Sequence, residues 1–478
     1  MLRNLFKLTC LVMLLPTLSV SADDSDMTTK FLDTRFQTTA DMARTLWEYA
    51  EVGYKETRSS ALMQKALADE GFSVKAGVAD IPTAFLAEFG TGGPIIGILA
   101  EFDALPGINQ DAMATRHPIE GKAAGHACGH NLFGAGSVSA AIAVKHWLQE
   151  SGSKGRIRLY GTPAEEGGSG KVYMVRAGLF DDVDTVLHWH AGDRNSAIAS
   201  SSLANRSAKF RFRGQSAHAA GAPWNARSAL DGVEAMNAMV NQMREHVPQE
   251  TRIHYVITSG GSAPNVVPDF AEVFYYLRHP SAKKVLELWP RLEATATGAA
   301  MGTGTEVDWE IIHGNHALQV NETLGRVMDK NLRVVGGLNY TPSEQKFAET
   351  IYSSLINPTI ALGSEDEIQD FEVRPIGRGG STDVADVSMA VPTAGLRIAT
   401  WVPGTSAHSW QSTAASGMSI GFKGAHVAAK TLALTAIDIM KDPELRKAAR
   451  EEFDRRRGKD FVYIPVLGDR DPPLDYRN

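Results

Sequence analysis

The segment Pro94-Ile95-Ile96-Gly97-Ile98-Leu99-Ala100 is a continuous apolar run, and it ends at the polar segment Glu101-Phe102-Asp103-Ala104-Leu105-Pro106. A run without alternation is typical of a strand that is buried on both faces. Further strands are predicted at 156–160 and 185–189, with a helix at 137–150 between the first two strands. Strands that alternate with helices predict an α/β fold, in which helices flank a mostly parallel sheet.

A change of pattern near residue 203 indicates a second domain. The elements that follow have the order βαββαβ, which is the order of ferredoxin-like domains. We therefore predict a lid over 203–316, inserted between two parts of a catalytic domain at 23–202 and 317–455. The predicted elements of the lid are strands at 208–213, 252–258, 271–279 and 306–312 and helices at 225–246 and 282–299.

The pattern after the lid is again helical. Helices are predicted at 321–335 and 417–440, and the segment Gly380-Ser381-Thr382-Asp383 is predicted to cap a further helix. The C-terminal extension, 456–478, is charged and rich in proline, and we expect it to pack on the surface.

The N-terminus has the features of a secretory signal peptide over residues 1–22. Arg3 and Lys7 precede an apolar run at 8–20, and Val20-Ser21-Ala22 fits a small-residue cleavage site. The apolar run is short for a membrane span, although an uncleaved anchor is the alternative. We expect a periplasmic or secreted protein that has no membrane contact after cleavage.

The composition is that of an ordinary globular protein. A chain of 478 residues is too long for one small core, so two domains are expected. The net charge of −7 does not indicate a basic surface for binding nucleic acid, and the sequence has no helix-turn-helix or stacking-aromatic pattern. We therefore expect no nucleic-acid partner.

The segment Gly125-His126-Ala127-Cys128-Gly129-His130-Asn131 places a thiol and an imidazole two residues apart. Adjacent carboxylates follow at Glu165 and Glu166, and we expect His190, at the end of its strand, to point towards them rather than His188. Thiolate, imidazole and carboxylate together form a ligand set for zinc, manganese or a similar divalent ion. The sequence therefore predicts a metal site.

Cys128 is one of only two cysteines, and the other lies in the predicted signal peptide. A lone thiol in an exported protein is either buried and inert or bound to a metal. The neighbouring His126 and His130 favour the metal-bound alternative.

The pair Glu165 and Glu166 indicates a hydrolytic site rather than a structural one. One carboxylate can bind the metal while the other moves a proton. Asp103 has two open interpretations: it orients a ligand histidine through its second ring nitrogen, or it caps a loop. The motifs all follow strands, where open α/β sheets bind their ligands.

Two other segments only partly match known functional motifs. Gly170-Lys171 lacks the first glycine and the hydroxyl residue of a phosphate-binding loop. The string Gly417-Met418-Ser419-Ile420-Gly421 matches a nucleophile elbow, but no strand precedes it. A serine hydrolase is therefore not supported.

Five motifs occur in the same order as in the metal-dependent aminoacylase/carboxypeptidase superfamily, which the chain resembles over roughly residues 30–450. The Cys-Gly-His form is similar to the branch that includes indole-acetyl-amino-acid hydrolases and p-aminobenzoyl-glutamate hydrolases. The segments 100–106, 131–134 and 167–171 resemble the latter side of that branch. The predicted signal peptide departs from the pattern of these hydrolases, and the identity of the natural substrate therefore stays open. The motifs are 126–130, 163–170, the His190 strand, 380–384 and the loop of His408.

The resemblance implies a site with two divalent metal ions, zinc or manganese, and Glu165 as the catalytic base. It also implies a homodimer, in which His218 of the lid reaches the partner's site and stabilises the developing oxyanion, while Asn265 and Arg278 hold the substrate carboxylate. The implied metal ligands are Cys128, His130, Glu166, His190 and His408.

The function expected from these motifs is that of a metal-dependent amidohydrolase. Its substrate would be an N-acyl amino acid, with an aryl-acyl or p-aminobenzoyl group. One alternative is a dipeptidase or carboxypeptidase with the same site. The other alternative is a non-catalytic periplasmic carrier of a metal or ligand, but a carrier has no use for the extra carboxylate of Glu165.

Overall fold

The structure is a computed structural model that describes residues 22–477. The predicted signal peptide lies outside this range except for its last residue. Within the range, no helix combines the length and the apolar character that a membrane crossing requires.

The central sheet has eight strands in the order β1-β2-β6-β3-β7-β14-β8-β13. Strands β6, β3, β7 and β14 run parallel to one another at its centre, and antiparallel strands lie towards its edges. This arrangement confirms the predicted α/β fold with a mostly parallel sheet. The strands are β1 (Ser73–Ala76), β2 (Phe85–Thr91), β3 (Ile95–Ala100), β6 (Gly155–Gly161), β7 (Thr185–Gly192), β8 (Ser196–Ser200), β13 (Val373–Arg374) and β14 (Thr393–Ala399); β4 (Leu105–Pro106) and β5 (Ala124–Gly125) form a small separate pair.

Helices flank the central sheet, and two of them are largely apolar. In β3 all six residues are buried, as expected of a central parallel strand. Helices α4 and α12 pack against each other and against the sheet, and most of their residues are buried. The helices of this domain are α1 (Ala22–Thr34), α2 (Phe36–Tyr49), α3 (Thr57–Asp69), α4 (His130–Ser151), α5 (Gly170–Arg176), α8 (Glu322–Val335), α9 (Pro342–Ser353), α10 (Val384–Ala390), α11 (Trp410–Ser416), α12 (Ser419–Lys441) and α13 (Pro443–Arg457).

The second domain is a four-stranded antiparallel sheet in the order β10-β11-β9-β12, with two helices on one face. Alternate residues of β11 are buried against those helices, so the other face of the sheet turns away from them. The separate sheet and its βαββαβ order agree with the predicted ferredoxin-like insert. Its elements are β9 (Ala204–Arg213), α6 (Ala229–Met243), β10 (Arg252–Ser259), β11 (Phe270–His279), α7 (Ala282–Thr303) and β12 (Glu306–Asn315).

Three local predictions need correction. Helix α4 begins at His130, seven residues before the predicted start, because Gly129 turns the chain with φ 75°. Asp383 gives α10 no side-chain cap, because its carboxylate binds Lys171 instead; within the predicted capping segment it is the hydroxyl of Thr382 that accepts from the N–H of Val384, the first residue of α10. The C-terminal extension is not a simple surface segment, since Val466 and Leu467 are buried.

Candidate metal centre and active site

Three strands of the central sheet end at the candidate site. Asp103 follows β3, Glu165 and Glu166 follow β6, and His190 lies near the end of β7. Because β6, β3 and β7 are adjacent and parallel, their carboxyl ends meet at one edge of the sheet.

Cys128 lies in the turn that leads into α4. Its Sγ is 3.5 Å from Nε2 of His190. Gly129 allows this close approach, because a Cβ at that position would lie 2.4 Å from the Cβ of Ala191 on β7. His130 is the first residue of α4 and is fully buried.

His408 completes the cluster from the far end of the chain. Its Nε2 is 3.2 Å from Oε1 of Glu166. Its backbone N donates to the carbonyl of Ala127 at 3.0 Å, which fixes the His408 loop to the Cys128 turn. The residue has φ 60°, and its side chain is half exposed.

These side chains fit a metal centre. Ligand atoms of Cys128, His130 and His190 lie within 4.8 Å of one another, and so do those of Cys128, Glu166 and His408. Cys128 belongs to both groups and therefore lies between them. Nε2 of His130 and Oε1 of Glu166 are buried, and they form no hydrogen bond of good geometry with the charged atoms beside them, Oε2 of Glu101 and Nε2 of His408. This is expected of atoms that bind a cation.

Asp103 contacts two of the candidate ligands. Its Oδ1 is 2.9 Å from Nδ1 of His130, and its Oδ2 accepts a hydrogen bond from the backbone N of Glu166 at 2.9 Å. The carboxylate of Asp103 therefore makes the contacts that both interpretations require, one to the histidine and one to the loop. Burial raises the pKa of Asp103, but the charge and hydrogen bond of His130 outweigh it and lower the pKa to about 2.

Because Nδ1 contacts Asp103, Nε2 is the atom of His130 that could bind a metal, and it lies 3.1 Å from Oε2 of Glu101. For His190, burial and the charges of His130 and Arg397 hold the pKa well below its ordinary value. His190 is thus neutral, which is the form that binds metals. His188 lies two residues before His190 on β7, and alternation along a strand places both side chains on the same face. His188 is therefore farther from the candidate metal ligands because it lies earlier along the strand.

Glu165 lies beside the cluster, and one of its carboxylate oxygens is within 4.8 Å of ligand atoms of His130 and Glu101. Burial raises the pKa of Glu165 well above its ordinary value, and the charges of Glu101 and Glu166 raise it further. A raised pKa makes the carboxylate a stronger base, which suits a group that accepts a proton and later returns it.

A buried charge cluster beneath the site was missed from the sequence. Nζ of Lys171 is 2.7 Å from Oε1 of Glu101 and 2.7 Å from Oδ1 of Asp383, and all three side chains are buried. Oε2 of Glu101 is 3.1 Å from Nε2 of His130. In the sequence, Glu101 stands at the end of an apolar strand, and Lys171 stands in the segment 167–171 that resembles the p-aminobenzoyl-glutamate hydrolases, but neither position indicates that the two side chains form an ion pair.

The loop that carries Glu165 has an unusual backbone. Ala164 and Ser169 have φ 57° and 63°, a region that non-glycine residues seldom adopt. The N–H of Ala164 donates to Oε1 of Glu56 at 2.9 Å, and Ser169 forms a short hydrogen bond with His313 of β12. These contacts hold the strained loop in place.

The end of the described chain also reaches this loop. The hydroxyl of Tyr476 donates to the carbonyl of Glu166 at 3.2 Å, and a guanidinium N–H of Arg477 donates to the same carbonyl. No feature of the sequence indicated this contact, because it joins segments about 310 residues apart.

Three predicted residues lie on the lid. His218 and Asn265 belong to neighbouring loops, where N–H of Ala219 donates to the carbonyl of Asn265 and His218 forms a bridge with Val266. Within residues 22–477, neither side chain has a hydrogen bond or ion pair with the metal cluster. Arg278 lies on β11, with its guanidinium 5.2 Å from the ring centre of Tyr276.

Known proteins resemble the chain over most of its length. The family model for peptidase family M20/M25/M40 matches residues 97–434. The chain is 38% identical to one of the two p-aminobenzoyl-glutamate hydrolase subunits of Escherichia coli, over 89% of this chain and 94% of that one. It is 29% identical to the Xaa-Arg dipeptidase of Mus musculus, over 86% and 88%.

Solved structures show the same fold. An aminobenzoyl-glutamate utilization protein from Klebsiella pneumoniae has a TM-score of 0.57 at 17% identity, over 84% of this chain and 97% of that one. A Bacillus subtilis protein, described as a dinuclear metal-binding peptidase of the M20 family, has a TM-score of 0.55 at 17% identity, over 86% and 99%. The resemblance inferred from the motifs is confirmed: the chain belongs to peptidase family M20/M25/M40 and is a hydrolase of the amidohydrolase type.

Proposed function

We propose that this hydrolase cleaves the amide bond of an N-acyl amino acid whose acyl group is aryl-acyl or p-aminobenzoyl. The observation that carries the proposal is the position of Glu165. Its carboxyl lies beside the candidate metal ligands, while the neighbouring Glu166 pairs with His408. The name of the Escherichia coli relative supports the choice of substrate.

We further propose that two divalent ions are bound by the five candidate ligands, Cys128, His130, Glu166, His190 and His408. Ions bound there would supply a Lewis acid for the amide carbonyl and lower the pKa of water. The thiolate of Cys128 favours zinc by its softness, and manganese is the alternative. Metal analysis of protein loaded with either ion would distinguish the two.

Glu165 would carry the proton through the reaction. It accepts a proton from the attacking water as the oxygen bonds to the amide carbon. It then delivers that proton to the nitrogen as the carbon–nitrogen bond breaks. The products are the carboxylic acid and the free amino acid. Asp103 orients His130 and the Glu166 peptide throughout and transfers no proton itself.

His218 would stabilise the developing oxyanion, and Asn265 and Arg278 would hold the substrate carboxylate. We propose that His218 acts across a homodimer, in the partner's site. The exposed position of His218, without a contact to its own metal cluster, supports this role. The Escherichia coli relative is named as one of two different subunits, so a different second chain is the competing outcome.

The N-terminal sequence 1–22 supports a location in the periplasm or outside the cell. N-terminal sequencing of protein from the periplasmic fraction tests this point. A mature chain that begins near residue 23 is expected, and an intact Met1 would contradict export by signal cleavage.

The central experiment is the substitution Glu165→Gln, with Glu166→Gln as the matched control. Glu165→Gln should keep its metal and lose at least about 100-fold in kcat, because only the proton carrier is removed. Glu166→Gln should lose metal as well as activity. Full turnover by the Glu165→Gln protein would overturn the mechanism.

The substrate panel should contain p-aminobenzoyl-glutamate, N-acetyl amino acids and dipeptides. A dipeptidase is the second candidate, because two relatives at 29% identity are named Xaa-Arg dipeptidases. Hydrolysis of dipeptides alone would favour that candidate. Bound metal without hydrolysis of any member would favour a carrier.

A further inference from the structure

Glu101 lies against the candidate metal ligand His130, directly after β3. Its Oε2 atom is 3.1 Å from Nε2 of His130, and both side chains are buried. The two atoms nevertheless form no hydrogen bond, because the direction of the ring N–H does not meet the oxygen. The pair therefore has the distance of a hydrogen bond without its geometry.

The other ring nitrogen of His130 explains why these two atoms require a cation. Nδ1 lies 2.9 Å from Oδ1 of Asp103, and a carboxylate at that distance accepts a hydrogen bond from Nδ1–H. In the neutral ring, Nε2 then carries a lone pair and no proton. Two atoms with lone pairs, Nε2 of His130 and Oε2 of Glu101, repel each other at this distance unless a cation lies between them.

The separation of the two atoms fits two ligands of one ion. Zinc binds histidine nitrogen and carboxylate oxygen at about 2.0–2.2 Å, so neighbouring ligand atoms lie about 2.9 Å apart at a right angle and about 3.4 Å apart at the tetrahedral angle. The observed 3.1 Å lies between these values.

Glu166 and His408, which belong to the candidate ligand set, show the same relationship. Oε1 of Glu166 is 3.2 Å from Nε2 of His408, and within residues 22–477 this oxygen also forms no hydrogen bond of good geometry. Glu101 and His130 are thus arranged in the same way as a pair of residues that the motifs independently assign to the metal.

An ion pair with Lys171 does not account for Oε2 of Glu101. Nζ of Lys171 lies 2.7 Å from the other oxygen, Oε1, and also 2.7 Å from Oδ1 of Asp383. One buried ammonium group therefore faces two buried carboxylates, and one negative charge is in excess. A buried charge is costly unless it is paired. A cation between Oε2 and His130 would offset this charge.

We propose that the ion bound by Nε2 of His130 is also bound by Oε2 of Glu101, which makes Glu101 a sixth ligand of the metal centre. Lys171 holds the other oxygen, so the carboxylate binds the ion through one atom. A ligand atom of Glu165 lies within 4.8 Å of those of Glu101 and His130, so this ion is next to the proposed proton carrier. The inference rests on the proposed binding of two divalent ions, and it adds a ligand that the motif resemblance does not include.

Diffraction from zinc-loaded crystals of the unchanged protein tests the contact directly. Anomalous scattering locates the ions, and we expect one of them at about 2.0–2.2 Å from both Nε2 of His130 and Oε2 of Glu101. An ion that binds His130 but lies more than about 3 Å from Oε2 would overturn the inference.

Glu101→Gln and Asp383→Asn form a matched pair of variants, because each removes one of the two buried carboxylates of Lys171. Glu101→Gln should bind zinc at least about 10-fold more weakly in competition with a chelator, since a ligand matters no less than a residue that orients one. Asp383→Asn should stay close to the affinity of the unchanged protein, because the contacts of that carboxylate are with Lys171. Equal affinities in the two variants would mean that Glu101 serves only as a partner of Lys171.

Failure of the proposed function would have a different signature. If the unchanged protein binds no divalent ion, or binds ions away from His130, the two-ion site itself is wrong, and the sixth ligand is wrong with it. If His130 binds an ion and Glu101 stays apart from it, only the sixth ligand is wrong, and the five-ligand site is unaffected. Neither measurement depends on turnover.

Discussion

Nζ of Lys171 lies 2.7 Å from Oδ1 of Asp383, and both side chains are completely buried. Glu101, on the other side of the amine, makes the second ion pair of the same cation. Burial and two flanking carboxylates act in opposite directions on Lys171, and the carboxylates prevail, so its pKa is raised. The amine is therefore charged, and it offsets part of the negative charge of Glu101 and Asp383 beneath the candidate site.

Replacing Lys171 by Met should destabilise the protein by about 3–5 kcal/mol, because Glu101 and Asp383 would be left buried without their cation. Urea unfolding measures the change. Lys65→Met is the control, since its ion pair with Asp69 is exposed and contributes at most about 1 kcal/mol. Similar stabilities for the two variants would contradict the structural role of Lys171.

Asp386 should make stability depend on pH. Burial raises its pKa from 3.8 to about 6, against the opposing effects of His316 and Tyr463. The contribution of protonated Asp386 to the free energy of unfolding is fully present below the unfolded pKa near 3.8, and it is lost as the pH rises through about 6. Asp386→Asn cannot titrate, so its free energy of unfolding relative to the unchanged protein should rise by at most about 3 kcal/mol over this window.

Urea unfolding at pH values from 4 to 7 tests this sign. The two stability curves should converge at the acidic end and separate towards neutral pH. Curves that stay parallel would show that Asp386 keeps its ordinary pKa in the folded protein.

Asp103→Ala should weaken metal binding by about 10- to 100-fold, as is usual when the residue that orients a ligand histidine is lost. Competition with a chelator measures the affinity. Asp111→Ala is a suitable control, because that carboxylate is exposed and has no contact with the candidate ligands. Unchanged affinity after Asp103→Ala would mean that His130 needs no orientation by its Nδ1 contact.

The proposed sharing of His218 predicts complementation. His218→Ala should lower kcat far more than it raises KM, because the oxyanion exists only during reaction. Mixed dimers of His218→Ala and Glu165→Gln subunits should recover part of the activity, since one composite site is intact. Mixed dimers that form but remain as inactive as either parent would refute sharing across the interface.

The fold was predictable because its signals are local. The unbroken apolar run of β3 and the alternation of β9 each reflect a strand's surroundings directly in the sequence. Cap details were less accessible: Asp383 has the type and position of a capping residue, yet its carboxylate binds Lys171, 212 residues away. A long-range ion pair outweighs a local preference without leaving a mark in the adjacent sequence.

Some residues of the candidate site could be predicted from local sequence signals, and others could not. Cys128, His130 and the two glutamates stand in short motifs, so their chemistry is visible in the sequence. Arg477 stands in no motif, and its contact with the catalytic loop arises only because the chain folds back onto Glu166. The charged, proline-rich composition of the extension indicated only that it packs on the surface, and not which loop it contacts.

The hydrogen bond between Ser169 and His313 joins the catalytic loop to β12 of the lid. A rigid-body rotation of the lid would therefore pull on the same short segment that carries Glu165. Any movement of that sheet on substrate binding would then be transmitted to Glu165 through Ser169. A substitution that breaks the Ser169–His313 contact would uncouple the position of the catalytic loop from that of β12.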